Sequence, residues 1–186
     1  MNLSIPKNSK EFIGHFKFIN DFKNYMNTDC KTENKIILCI GPSGIGKSSL
    51  LKIIFNELKF TYKELSDFTN NIEFINNYLN FKSIDSYFNK VNKLLFIDDL
   101  EVYINNDKNI NSYLLNLENI NRIPIVCIVN KQYERKITDL KKISKIFYLN
   151  KPSIIQTTQL VIDNLTDRNI EITQEKLNNI KQLIKI

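Results

Sequence analysis

Two internal runs of this chain are apolar at every position, Leu94-Leu-Phe-Ile97 and Ile125-Val-Cys-Ile-Val129, and a third, Lys35-Ile-Ile-Leu-Cys-Ile40, is apolar after its first residue. A strand with one wet face alternates apolar and polar residues, whereas a strand covered on both faces does not. Between these runs apolar residues recur every three or four positions: Leu50, Leu51, Ile54, Phe55 and Leu58; Ile72, Ile75, Tyr78 and Leu79; Ile110, Tyr113, Leu114, Leu117 and Ile120. That spacing predicts helices. Phe60-Thr-Tyr-Lys-Glu-Leu65 and residues 145–149 read as two further strands, and residues 134–142 as a short helix. Strands that alternate with helices need crossover connections. The expected fold is therefore α/β and three-layered, a parallel five-stranded sheet between helices.

The two ends depart from this alternation. Phe12, Ile13, Phe16, Ile19, Phe22 and Tyr25 follow Ser9 at helical spacing, but Gly14 interrupts them. Either one amphipathic helix or a short turn followed by a helix fits. After Lys151-Pro152 only helical signals remain, at 153–166 and 173–184, so the expected domains are a core over 1–150 and a small, partial helical lid over 151–186. The pairs Asn70-Asn71, Asn76-Asn77 and Asn105-Asn106 are read as turns.

Composition bounds the class. A chain of 186 residues, 42% hydrophobic, suits one domain with a small appendage. Four Gly and four Pro are too few for a collagen-like or Pro-rich disordered chain. The three cysteines, Cys30, Cys39 and Cys127, are odd in number and lack C-x-x-C spacing, which argues against a disulfide framework or a Cys-ligated zinc site. Cys39 and Cys127 lie inside apolar runs and read as core residues. The run Ile125–Val129 is far short of the roughly 20 residues of a membrane span, and the N-terminus lacks a basic-then-apolar signal pattern. The expectation is a soluble intracellular protein without a membrane partner, in nucleus, cytoplasm or a viral replication site. A net charge of +6 fits contact with a polyanion and equally fits a Lys-rich solvated surface.

Between the run Lys35–Ile40 and the helix carrying Leu50 stands Gly41-Pro42-Ser43-Gly44-Ile45-Gly46-Lys47-Ser48, which satisfies G-x-x-x-x-G-K-[ST] in full. Glycines let backbone N–H groups wrap phosphates, the lysine supplies a point charge, and the serine hydroxyl reaches Mg²⁺. A helix starting near Lys47 adds its positive end. The run Leu94–Ile97 ends in Asp98-Asp99, delivering two carboxylates at the edge of a parallel sheet where ligands bind. Asp98 would hold Mg²⁺ through water, and Asp99 would polarise an attacking water. Asn130 closes the run Ile125–Val129, where its amide could orient that water, or it could simply form a turn before Lys131.

Together these residues resemble the AAA+ ATPases, and within them the clamp-loader group, most closely the large subunit of replication factor C. Pro6-Lys-Asn-Ser-Lys-Glu11-Phe-Ile13-Gly14 resembles the segment that lines the adenine pocket, with His15 where Gln or Asn is usual. Gly41–Ser48 resembles the family's G-P-P-G-x-G-K-[ST], with Ser43 replacing the second Pro. Ile123–Asn130 is similar to the sensor-1 strand, and Ile146-Phe147-Tyr148-Leu149-Asn150-Lys151-Pro152 to the run into the lid. The resemblance implies an ATP and Mg²⁺ site. ATP would be held by Pro6, Ile13, Gly14, Gly41, Pro42, Ser43, Gly44, Ile45, Gly46, Lys47, Ser48 and Ser49, with Ser48 and Asp98 on the metal. Lys47, Asp99 and Asn130 would serve catalysis. It further implies AAA+ partner subunits that supply an arginine finger, a sliding clamp, and DNA held through backbone phosphates.

Departures from the family pattern shape the rest. Its acidic pair is normally Asp-Glu, not Asp-Asp, so slow hydrolysis is expected. Around Lys142-Ile143-Ser144 no Arg stands where small subunits carry their finger, which agrees with a large-subunit type. The lid's sensor-2 arginine is expected near Ile186, where the sequence stops, and Arg168 is not assigned that role. Two other readings stand beside a replication clamp-loader ATPase: a degenerate nucleotide-binding scaffold that recruits a clamp or replication partner, and an initiator or helicase-loader ATPase, suggested by Ile97-Asp-Asp-Leu100. His15, the single histidine, is read as a helix-surface residue, with adenine contact as the alternative.

Overall fold

A computed structural model describes residues 6–30, 35–65, 71–80, 92–117 and 123–166, the side chain of residue 164 excepted. The predicted helix at 173–184 and Ile120 lie outside them. The strands are β1 (Ile36–Gly41), β2 (Phe60–Glu64), β3 (Asn92–Ile97), β4 (Ile125–Asn130) and β5 (Lys145–Tyr148). All pair in parallel in the order β2-β3-β4-β1-β5. The expected three-layer α/β fold is the one observed.

Alternate residues of each strand feed two separate cores, as period-2 geometry requires. Ile37 and Cys39 of β1, Val126 and Ile128 of β4 and Phe96 of β3 face α1 (Phe16–Thr28) and α2 (Lys47–Glu57). Ile36, Leu38, Ile40, Ile125, Cys127, Val129, Leu95 and Ile97 form the other core. It is covered by α3 (Asn71–Asn80), α4 (Leu100–Asn106), α5 (Asn109–Leu117) and α6 (Thr138–Ile143). Doubly covered strands explain the continuous apolar runs. The edge strand β2 instead exposes Thr61 and Lys63, a pattern that discourages further strand pairing. All three cysteines are buried thiols. Burial pushes the Cys127 thiol up to about 12, so it stays protonated.

Four local expectations need adjustment. The N-terminal segment is the turn-then-helix alternative: a short 3-10 turn at Ser9–Glu11, then α1. Gly14 takes φ +85°, and a Cβ there would lie 3.0 Å from the Pro152 Cβ, so one continuous helix cannot pass through. Asn76-Asn77, predicted as a turn, sits inside α3. Ile75 is fully buried beside it and the Tyr113 hydroxyl donates to the Asn76 side chain, so tertiary contacts override the local tendency. The helix expected at 134–142 is a 3-10 turn, Lys131–Ile137, running into α6. Finally, α4 was not foreseen. The last described helix, α7 (Ile154–Thr166), follows Pro152. No helix among the described residues is long and apolar enough to cross a membrane.

Candidate functional site

Sheet order does the assembling. β3, β4 and β1 are neighbours, and Asn130 pairs in register with Gly41. The residues that follow β1 and β3 therefore meet the last residue of β4 at one edge of the sheet. Gly44 (φ +78°) and Gly46 (φ +81°) supply left-handed backbone in the loop, which costs other residues about 1 kcal/mol or more. Gly41 is constrained by space, because a Cβ there would lie 2.6 Å from the Leu149 carbonyl oxygen. Ser43, Gly44 and Ser49 are exposed, while Pro42 is half-buried and Ile45 packs on the first core. Helix α2 starts without a side-chain cap, leaving first-turn N–H groups for an anion.

Lys47 is only 6% exposed. Its Nζ donates to the Gly41 carbonyl (3.1 Å), the Pro42 carbonyl (2.7 Å) and the Asn130 Oδ1 (2.9 Å). An ammonium has three donors, and all three are engaged. Burial lowers its pKa, and the carboxylates of Asp99, Glu101 and Asp98 act the other way. The side chain is thus a desolvated cation aimed along the loop.

Asp98 follows β3 and is hydrogen-bonded by the Ser48 hydroxyl. Its Oδ1 is buried with no hydrogen-bond partner, an arrangement native proteins seldom leave unexplained. Burial raises its pKa, the Ser48 bond lowers it, and Asp99 raises it again. A hydroxyl oxygen beside an unsatisfied carboxylate oxygen is a hard-oxygen pair of the kind Mg²⁺ takes alongside phosphates and water. These residues fit the ion.

Asp99 is exposed and left-handed, φ +51° and ψ +56°. Aspartate tolerates that region better than most residues, and such backbone gathers at functional sites. The twist turns the chain from β3 into α4, and the Asp99 Oδ1 accepts from the Asn130 Nδ2 at 3.1 Å. Sequence reasoning missed Glu101. This residue is 2% exposed, and its carboxylate accepts from both the side-chain and the backbone nitrogen of Asn130.

The proposed adenine-side residues are spread out. Ser9 donates from its N–H and hydroxyl to Glu57, the last residue of α2. That fastens the chain just after Pro6 about 15 Å along the helix from Lys47. Further on, Phe12 approaches the loop, since a Cβ on Gly46 would come within 3.2 Å of its ring. Ile13 and Gly14 follow it, with Gly14 against Pro152. His15 is not a surface residue. It is 3% exposed and hydrogen-bonded to the Ile45 backbone. A cavity of about 580 Å³ between α1 and β5 shares Gly14 and His15 but is lined by no residue of Gly41–Ser49, Asp98, Asp99 or Asn130. Concavity and chemistry lie apart here.

The buried His15 sets a pH dependence. Burial holds its folded-state pKa below 6.5, so the unfolded chain takes the proton first. Stability is then full above about pH 6.5 and declines as pH falls below it. Thermal unfolding from pH 5 to 8 should show that decline in the wild type and a shallower one in His15→Gln. Identical profiles would contradict the assignment.

A parallel sheet with its phosphate loop directly after β1 is the core of a P-loop nucleoside triphosphatase. The chain belongs to the Rad17 P-loop domain family, whose model matches residues 2–170. It is a P-loop AAA+ nucleotide-binding module of the Rad17 and clamp-loader type. Among solved structures, it is similar to a chain of the HORMA–CdnC–Trip13 complex of E. coli MS115-1. The TM-score is 0.66 at 11% identity, covering 100% of this chain and 77% of that one. With 549 solved chains matching, the fold is widespread and by itself assigns no role. No curated protein matches.

Proposed function

We propose that the chain binds ATP with Mg²⁺ and hydrolyses it slowly alone, as a clamp-loader module of the replication factor C large-subunit kind. The observation that carries this reading is the direct contact of Lys47 with Asn130, beside the Ser48–Asp98 pair, across three neighbouring strands. Lys47 would place its charge on the phosphates, Ser48 and Asp98 would hold Mg²⁺, and Asp99 and Asn130 would orient water. Bound Mg²⁺ would neutralise charge on the phosphate oxygens. Residues 151–186 would form the partial lid, and Ile13 and Gly14 the adenine side.

Charge developing on the terminal phosphate needs a further cation. Among the described residues the arginine is Arg135, exposed on the 3-10 turn, so an AAA+ neighbour would supply the finger. Residues 131–151 contain seven Lys or Arg and two acidic residues. Such a stretch suits contact with DNA backbone phosphates without base readout, and a sliding clamp is the expected protein partner.

A scaffold reading gains support from Asp99, a shorter acid than the usual Glu and already engaged by Asn130. Steady-state release of phosphate from ATP separates the two. Slow turnover that falls at least tenfold in Asp98→Ala is expected. Turnover absent from a folded, ATP-binding wild type, with or without DNA, would favour the scaffold.

A further inference from the structure

Glu101 has no task in the phosphate chemistry above, yet it is among the most deeply buried charged groups described, 2% exposed. It is the second residue of α4, between Leu100, which is fully buried, and Val102, which is exposed. An acid in a first helical turn gains from the helix dipole, but an exposed one would gain likewise. Burying a carboxylate is costly unless donors compensate, and here both donors belong to one residue on another element. The Glu101 Oε1 accepts from the Asn130 Nδ2 at 2.5 Å, and its two oxygens lie 3.3 and 3.4 Å from the Asn130 backbone nitrogen.

A carboxamide can present either end, and its two faces differ only in donor and acceptor. With Nδ2 committed to the carboxylates of Glu101 and Asp99, Oδ1 is left facing Lys47 at 2.9 Å. A flipped amide would set oxygen against carboxylate and an NH₂ against an ammonium, both repulsive. We propose that Glu101 is the positioning residue of the site, fixing which end of the Asn130 amide faces Lys47. The clasp stands on its own. Its functional consequence, that the amide so oriented holds the Lys47 ammonium in place for a terminal phosphate, rests on the ATP-site reading.

The test uses the whole chain, ¹⁵N-labelled, as wild type, Glu101→Gln, Glu101→Ala and Glu101→Leu. Gln retains an acceptor, whereas Leu fills the volume and accepts nothing, which serves if Ala does not fold. Without nucleotide, the Asn130 side-chain amide, assigned by its loss in Asn130→Ala, should exchange slowly with solvent in wild type and Gln. In Ala or Leu that protection should fall at least tenfold. Calorimetry with Mg²⁺·ATP and Mg²⁺·ADP should then show the preference for ATP reduced about tenfold in Ala or Leu and within threefold of wild type in Gln. Wild-type amide protection in the Leu variant would overturn the clasp. An unchanged ATP-to-ADP ratio despite lost protection would overturn its consequence. Wild type that binds neither nucleotide would defeat the ATP-site reading, and the amide measurement alone would then decide the role of Glu101.

Discussion

Lys47→Ala is expected to weaken binding of Mg²⁺·ATP at least about a hundredfold, or about 2.7 kcal/mol, while the chain stays folded. The lysine carries a charge-assisted bond that ties the loop to β4, through Asn130. A desolvated ammonium acts on phosphate in a medium of low effective dielectric, where a point charge is worth far more than at the surface. Removing it also leaves the Gly41 and Pro42 carbonyls and the Asn130 Oδ1 without this donor. The strand pairing from Ile36 to Gly41 and from Ile125 to Asn130 does not involve the side chain, so circular dichroism should be unchanged. Equal affinities for wild type and variant, by calorimetry, would contradict the role given to the loop.

The second large effect concerns the helix that carries the lysine. Phe55→Ala should cost about 3–5 kcal/mol of stability and lower the thermal midpoint by roughly 10 °C in a chain of this size. Phe55 is fully buried where α2 meets the sheet, with ring centroids 5.4 Å from Tyr62, 5.5 Å from Phe96 and 6.4 Å from Phe22. Those partners come from β2, β3 and α1, so one ring joins four elements. The site should loosen as well, because Phe55 lies about 12 Å from Lys47 along the same helix. Denaturant unfolding would measure it. A loss under about 1 kcal/mol would mean that the aromatic cluster does not dock α2.

What could be read in advance follows from which residues report on their own surroundings. Ile37, Cys39, Val126 and Ile128 announce a doubly covered strand because every neighbour is apolar too. Gly41-Pro42-Ser43-Gly44-Ile45-Gly46-Lys47-Ser48 announces its loop because few other uses demand that spacing. The meeting of Lys47 and Asn130, by contrast, depends on β4 lying beside β1, and strand order is set by crossovers that leave no mark in either strand.

Glu101 was overlooked for a related reason. A glutamate after Leu100 reads as a solvated helix residue unless one knows that Asn130 lies opposite with two N–H groups to satisfy. The best available signal was position, since an acid two residues beyond Asp99 starts the next helix beside the phosphate edge. His15 misled similarly. One polar residue at the head of an amphipathic helix suggests the surface, yet Gly14 bends the chain so that His15 meets Ile45 instead. Helix α4 escaped although its start carries the usual signal, Asp99 at the N-cap and Glu101 in the first turn, because Asp99 reads first as a site carboxylate and the helix is only seven residues long.

A common physical theme links loop, acids and amide. The buried Lys47 and Glu101 and the half-buried Asn130 are each satisfied by a group from another element, whereas the Asp98 Oδ1 is not. That orphan beside Ser48 is where the geometry asks for a cation. The most direct measurement is therefore calorimetric titration of the wild-type chain with ATP, with Mg²⁺ present and then removed by chelation. The account predicts saturable one-site binding with Mg²⁺ and at least about tenfold weaker binding without it. A folded chain that gives no saturable binding in either condition would contradict it.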